Sequence, residues 1–362
     1  MPSVARSIIR DSLRAKENEA IMIQATPNTI DLANEVGVEA YKVGADPAIM
    51  LQTDDLFYGQ FKHLTPEQLR TTSKHCLGIE DYADSYVWLG YITDPTPMRR
   101  VPKEKMAAHS EGEAGHYRKS VEKKHKNVAV GLGFVTRPRA KAYGFNYNTW
   151  KRMLEAAITV DYKEMVQTGE RLGMLLRRPA DVRIKADNGT DLRFRLAGES
   201  RKSYLDDGII SDEDLAAGNV STSLPAGAIR VAPVEDSAKG TIVADVKTPL
   251  AGVPIEGVSW TFKDGRVVEF DAKRNIATAQ NGYAQATGAK DIFGYLGIGL
   301  NKKVLPGYLN SSYARGTVTI GIGDNKQFDG ANESTYGFDA FQASSTVVLD
   351  GKPIIEAGRL LV

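Results

Sequence analysis

Cysteine is nearly absent, Cys76 being the single thiol in 362 residues. An internal disulfide is therefore excluded, as is a zinc site built on thiolates, because structural zinc needs about four converging ligands. A reducing, cytoplasmic setting fits this usage. Histidine is scarce and unevenly placed: His63, His75, His109, His116 and His125 all precede residue 126, so the rest of the chain contributes no imidazole to any mechanism. No sign of charge dominates. With 46 basic and 45 acidic residues the formal net charge is +1, and the electrostatic footprint of a nucleic-acid or anionic-membrane binder is missing. Long apolar runs are missing too. The amino terminus, MPSVARSIIRDSLRAKENEA, is charged every few residues and offers neither the apolar region of a signal peptide nor the ~20 apolar residues of a membrane span.

What is present suits a folded chain: 42% hydrophobic and 25% charged residues, with 34 Gly and 15 Pro. The length fits two domains of ~150 to 200 residues. In the first, Val4, Ile8, Ile9 and Leu13 share a helical face, and AIMIQ (20–24) reads as a short buried strand. A helix through Leu32, Val36 and Ala40 follows, then a strand near residues 48–51, and the apolar runs 86–92 and 128–135 supply two more strands. Helix and strand in alternation imply a parallel sheet with covering helices. The charged segments 66–74 and 103–126 read as solvated helices, and the pattern over 148–178 as one long helix bridging two halves. The first domain is placed at 1–165.

After Pro179 the texture changes to alternating runs separated by Asn188-Gly189, Asp264-Gly265 and Asp350-Gly351, each a tight-hairpin signal. Residues 166–362 therefore read as a mainly antiparallel, β-rich α+β domain. One clear helix is expected over 272–283 and an apolar turn near Phe293. The hairpins recur without a fixed period, which excludes a solenoid.

Few constellations carry chemistry on their own. His109 and His116 are seven residues apart, whereas metal-binding helices favour a four-residue spacing with a third ligand, so they read as a polar helix surface. Gly131-Leu-Gly133, Gly297-Ile-Gly299 and Gly321-Ile-Gly323 lack the full phosphate-binding fingerprint and read as β-bulges or close backbone approaches. No Gly-x-Ser-x-Gly elbow is present. Cys76 beside His75 does not form a thiol–imidazole pair, since neighbouring residues point apart.

Five stretches of the second half carry more: DDGIISDEDLAAGNVSTSLPAGAIRVAPVED (206–236), PIEGVSWTFKDGRVVEFDA (254–272), FGYLGIGLN (293–301), GTVTIGIGDN (316–325) and NESTYGFDAF (332–341). They resemble, in order, the thermophilic-type metallo-aminopeptidases (the aminopeptidase T family), archaeal-type members above all, and the first half is similar more loosely through SIIRDSLRAKENEAIMIQA, EAYKVGADPAIML and VDYKEMVQTGERLGMLL. The resemblance implies an aminopeptidase T-like fold, a homodimer enclosing its active cavity, and two metal ions held by two glutamates, two histidines and an aspartate that activate water. Taken residue by residue, the first glutamate position is Ala228, the second is Tyr295, the histidine positions are Thr319 and Gly337, and only the aspartate remains, as Asp339. Ala and Gly offer no side-chain ligand, and Thr and Tyr are poor ones for zinc or cobalt. The dihydroxypyridine dioxygenases, iron enzymes similar in fold, hold iron with two histidines and an aspartate of this domain, and those histidines are missing as well.

Three functions are weighed. The favoured one is a non-peptidase relative, a binding or structural homodimer with no cofactor, no nucleic-acid or membrane partner, and a small ligand or protein as partner. The second is a metal-independent hydrolase or lyase using Tyr295, Tyr336 or Asp339 as acid or base. The third is a metallo-aminopeptidase with a divalent ion held by carboxylates such as Glu235, Asp236, Asp324, Asp329, Glu333 and Asp339.

Overall fold

The computed structural model describes residues 3–250 and 252–362 and divides into two compact units, 1–159 with 208–225, and 160–207 with 226–362. In the first unit five parallel strands, Ala20–Ala25, Asp46–Leu51, Ser85–Trp88, Lys126–Val130 and Ser221–Leu224, form one sheet in the order second, first, third, fourth, fifth. Ile21, Ile23, Val87 and Val128 are buried, as continuous apolar strands flanked by helices must be. Among the described residues no helix is long and apolar enough to cross a membrane.

The structure departs from the sequence expectations in particular places. Residues 208–225, expected in the second domain, return to the first unit, where Leu224 pairs in parallel with Val130. The strand expected over 128–135 ends at Val130 and gives way to the 3₁₀ turn Gly131–Phe134. Segment 66–74 belongs to two short helices, Pro66–Arg70 and Lys74–Tyr82. Likewise the long helix over 148–178 is two helices, Tyr147–Ile158 and Tyr162–Leu176. The break has a local cause: the Thr159 hydroxyl turns back to the Glu155 carbonyl at 3.0 Å, and Asp161 caps the next helix by accepting from the Lys163 amide at 3.0 Å.

The second unit holds an eight-stranded antiparallel sheet and a five-stranded one. The expected hairpins form. Asp264 and Gly265 have φ of 48° and 76°, Asp350 and Gly351 have 47° and 79°, the left-handed pair that a type I′ turn requires. A fourth hairpin, through Ala357 and Gly358, was not legible. The helix expected over 272–283 is Ile276–Gln285, and the apolar turn near Phe293 is instead a strand, Phe293–Gly299. The five-stranded sheet runs Gly337–Gln342, Val318–Gly323, Phe293–Gly299, Ala228–Val231, Tyr204–Asp206. One of its faces, with Ile229, Leu296, Ile298, Ile320 and Phe338, packs in a common core with Val182, Phe194, Ile242, Trp260 and Val347. The other face carries the candidate site.

Candidate functional site

Strand register assembles the site. Arg230 pairs with Gly297, Gly297 with Thr319, Tyr295 with Gly321, and Gly321 with Asp339, while Ala228 pairs with Gly299 and Gly337 with Gly323. Paired residues share a face and alternate residues along a strand do too, so Ala228, Tyr295, Thr319, Gly337 and Asp339 all lie on the face away from the core. A register shift between Phe293 and Tyr295 keeps the phenol on that face, as bulges beside functional sites commonly do.

Tyr295 dominates the face. Its ring crosses the neighbouring strand over Gly321, where an added Cβ would stand 2.1 Å from the ring, and its hydroxyl donates to Asp339 Oδ1 at 2.7 Å. Phe328 flanks the ring at 4.8 Å between centroids. Thr319 is 1% exposed, and its hydroxyl oxygen is buried with no hydrogen-bond partner among the described residues. Beside it, Arg230 places Nη1 3.5 Å from the Asp206 carboxylate and its guanidinium carbon 5.6 Å from the centre of the Tyr313 ring.

The electrostatics follow from burying these groups together. Burial pushes the Tyr295 phenol well above its ordinary value, and the adjacent Asp339 charge adds to that. Burial also raises Asp339, against the opposing effects of the Tyr295 hydroxyl and Arg230. For Arg230 burial disfavours the charge, yet Tyr313, Tyr295 and Asp206 outweigh it and hold the guanidinium above its ordinary value. Tyr313 is raised by burial and then by Asp206. The face therefore has a secured buried cation, two carboxylates around it and two phenols that keep their protons.

Other predicted residues lie apart from this network. Tyr336 sits among Tyr283, Phe338 and the helix Ile276–Gln285, donating to the Ala279 carbonyl at 3.3 Å, so its hydroxyl is spent on packing. Gly337 is exposed, with nothing within 4 Å of where a side chain would begin. The candidate carboxylates do not gather. Glu235 is gripped by Arg201 at 2.6 and 2.8 Å. Asp324 accepts from the Ser334 amide and Asp329 from the Lys202 amide, each at 3.4 Å. Among the described residues no three His, Cys, Asp or Glu side chains converge to hold a metal ion, Asp236 and Glu333 included.

The histidines also differ from a polar surface. His109 packs between Phe57 and Phe61, with ring centres 5.7 and 5.1 Å away. His116 and His125 each place Nδ1 2.6 Å from one oxygen of Glu80, which has no exposure. Cys76 is half-buried and unpaired. Arg230, Tyr313 and Asp206 were missed from the sequence. Arg230 alone had a signal, since it lies two residues beyond Ala228 and so on the same side of the strand.

Comparison with known proteins places the fold. The family model described as thermophilic metalloprotease (M29) matches residues 1–294. Among solved structures, wild-type AmpT from Thermus thermophilus is similar with a TM-score of 0.77 at 19% identity, covering 99% of this chain and 98% of that one. The 2,5-dihydroxypyridine dioxygenase from Pseudomonas putida KT2440 is similar with a TM-score of 0.60 at 12% identity, covering 99% and 96%. At these identities the likeness is one of fold. No curated protein sequence matches the chain.

Proposed function

Because the chain belongs to the thermophilic metalloprotease (M29) family, we propose that it is a non-peptidase member in which a protein-borne cation has taken the place of the metal pair. The observation that carries this reading is the shared sheet face. Two of its five positions, Ala228 and Gly337, have no donor atom. Tyr295 and Asp339 are bonded to each other at 2.7 Å, and Arg230 supplies beside them the positive charge that metals would otherwise bring to Asp206 and Asp339. A divalent ion entering there would meet a buried guanidinium and break an existing hydrogen bond. This donor set does not fit a dinuclear site. The protein then acts as a cytoplasmic homodimer that binds a small ligand or partner, or serves as a structural subunit.

A second reading draws on one observation, the raised Asp339 carboxyl hydrogen-bonded to Tyr295. Such a pair suits proton transfer to a small molecule without a metal, as in a hydrolase or lyase.

Metal content per chain, measured by mass spectrometry on protein purified without chelator or affinity tag, tests the proposal. The expected result is a content near zero, with no rise in melting temperature on adding zinc, cobalt or manganese. Retention of one or two ions per chain, with peptide hydrolysis lost in Asp339→Asn, would overturn it.

A further inference from the structure

The first unit carries a separate candidate site. Its all-parallel sheet has the strand order of a doubly wound fold, and in such sheets ligands settle beyond the carboxyl ends of the strands. There the loops after the third and fourth strands meet backbone to backbone, since a Cβ on Gly133 would lie 2.3 Å from the Gly90 nitrogen. Past the end of the first strand the edge stays open as a cavity of about 600 Å³, within the ~300 to 1,000 Å³ usual for small-molecule sites.

Leu132 and Val135 give this cavity an apolar lining. Its two walls differ in net charge. Asp31 and Glu35, one turn apart on the helix Ile30–Tyr41, form an acidic side, and the helix Tyr147–Ile158 brings Lys151 and Arg152 together with Glu155, a side of net positive charge. The walls make no ion pair with each other among the described residues. Lys151 is 3.8 Å from Glu155 on its own helix, and Arg152 Nε donates to the Asn148 carbonyl at 3.4 Å. Walls of opposite net charge, unpaired with each other around an apolar lining, complement a ligand that carries both signs on an apolar body.

We propose that this cavity binds a zwitterion of the size class of an apolar dipeptide, its ammonium group at Asp31 and Glu35 and its carboxylate at Arg152 and Lys151. The site is independent of the Tyr295 face and of the reading given to it. Isothermal titration calorimetry of the full chain with leucyl-leucine tests the assignment, with mass spectrometry verifying that the dipeptide stays intact. Saturable binding is expected, weakened at least about tenfold when the amine is acetylated or the carboxylate amidated. Glu35→Lys and Arg152→Glu, at exposed positions that do not endanger folding, should each weaken the parent dipeptide similarly. Absence of binding up to millimolar concentration, or binding unchanged by both charge reversals, would overturn the proposal.

Discussion

Glu235 ties the loop beyond the strand Val318–Gly323 to the body of the second unit, and replacing it by Gln should reveal how firmly. Its carboxylate receives Arg201 through two bonds of 2.6 and 2.8 Å, the Ala331 amide at 2.8 Å and the Asn325 side chain at 3.2 Å. Burial alone would raise its pKa, but Arg201 and the Ala331 amide outweigh burial and hold it at about 2 instead of 4.5. Since the folded value lies below the unfolded one, the stabilisation is complete above about pH 4.5 and disappears as the pH falls toward 2. The difference corresponds to about 3 kcal/mol, of which about 2 kcal/mol is gone by pH 3. Glu235→Gln should cost about 3 kcal/mol at pH 7, because it leaves Arg201 without its counter-charge, and the deficit should shrink to about 1 kcal/mol at pH 3. Urea unfolding of both proteins measures this, read in the near-ultraviolet circular dichroism of the aromatic cluster around Trp260. Equal losses of stability between pH 7 and pH 3 in wild type and variant would refute the linkage.

Tyr295→Phe should destabilise the second unit by about 1 to 2 kcal/mol and move the Asp339 carboxyl further up, since the phenol hydroxyl lowers it; carboxyl ¹³C shifts against pH report the second effect. Gly321→Ala drives a methyl into the Tyr295 ring and should cost about 1 to 3 kcal/mol, a penalty that a double-mutant cycle with Tyr295→Ala should largely remove. Glu80→Ala leaves His116 and His125 without their shared carboxylate. Calorimetry should register a loss of about 1 to 3 kcal/mol in the first unit for the hydrogen-bonding groups left unpaired, and a change within error would mean that the imidazoles re-pair at no cost.

Much of the candidate face was reached through the resemblance to the aminopeptidase T family, which grouped Ala228, Tyr295, Thr319, Gly337 and Asp339 as ligand positions. That they share a face is a matter of strand pairing, since residues two apart along a strand and residues paired across it point the same way. Tyr336 was expected with them as a candidate acid or base, but its hydroxyl is consumed by the Ala279 carbonyl. Nothing local in the sequence marks Asp206 or Tyr313 as neighbours of Arg230, because they reach it from other segments. Glu235 likewise looked like a free metal-binding carboxylate until Arg201, distant in sequence, was found to hold both of its oxygens.

By itself the sequence determined the class of each half, the three hairpins with their Asn-Gly and Asp-Gly turns, and the lack of any imidazole beyond His125. These depend on composition, on short-range backbone preference and on periodicity, all readable along one segment, while the resemblance to the aminopeptidase T family came from whole phrases in a shared order. Only the tertiary structure decided that residues 208–225 complete the parallel sheet, that Glu80 is shared by two histidines, and that Arg230 stands charged between Asp206 and Asp339. Those outcomes depend on which distant side chains are buried together, since the cost of desolvating a charge, and the partner that offsets it, exist only once the strands have paired.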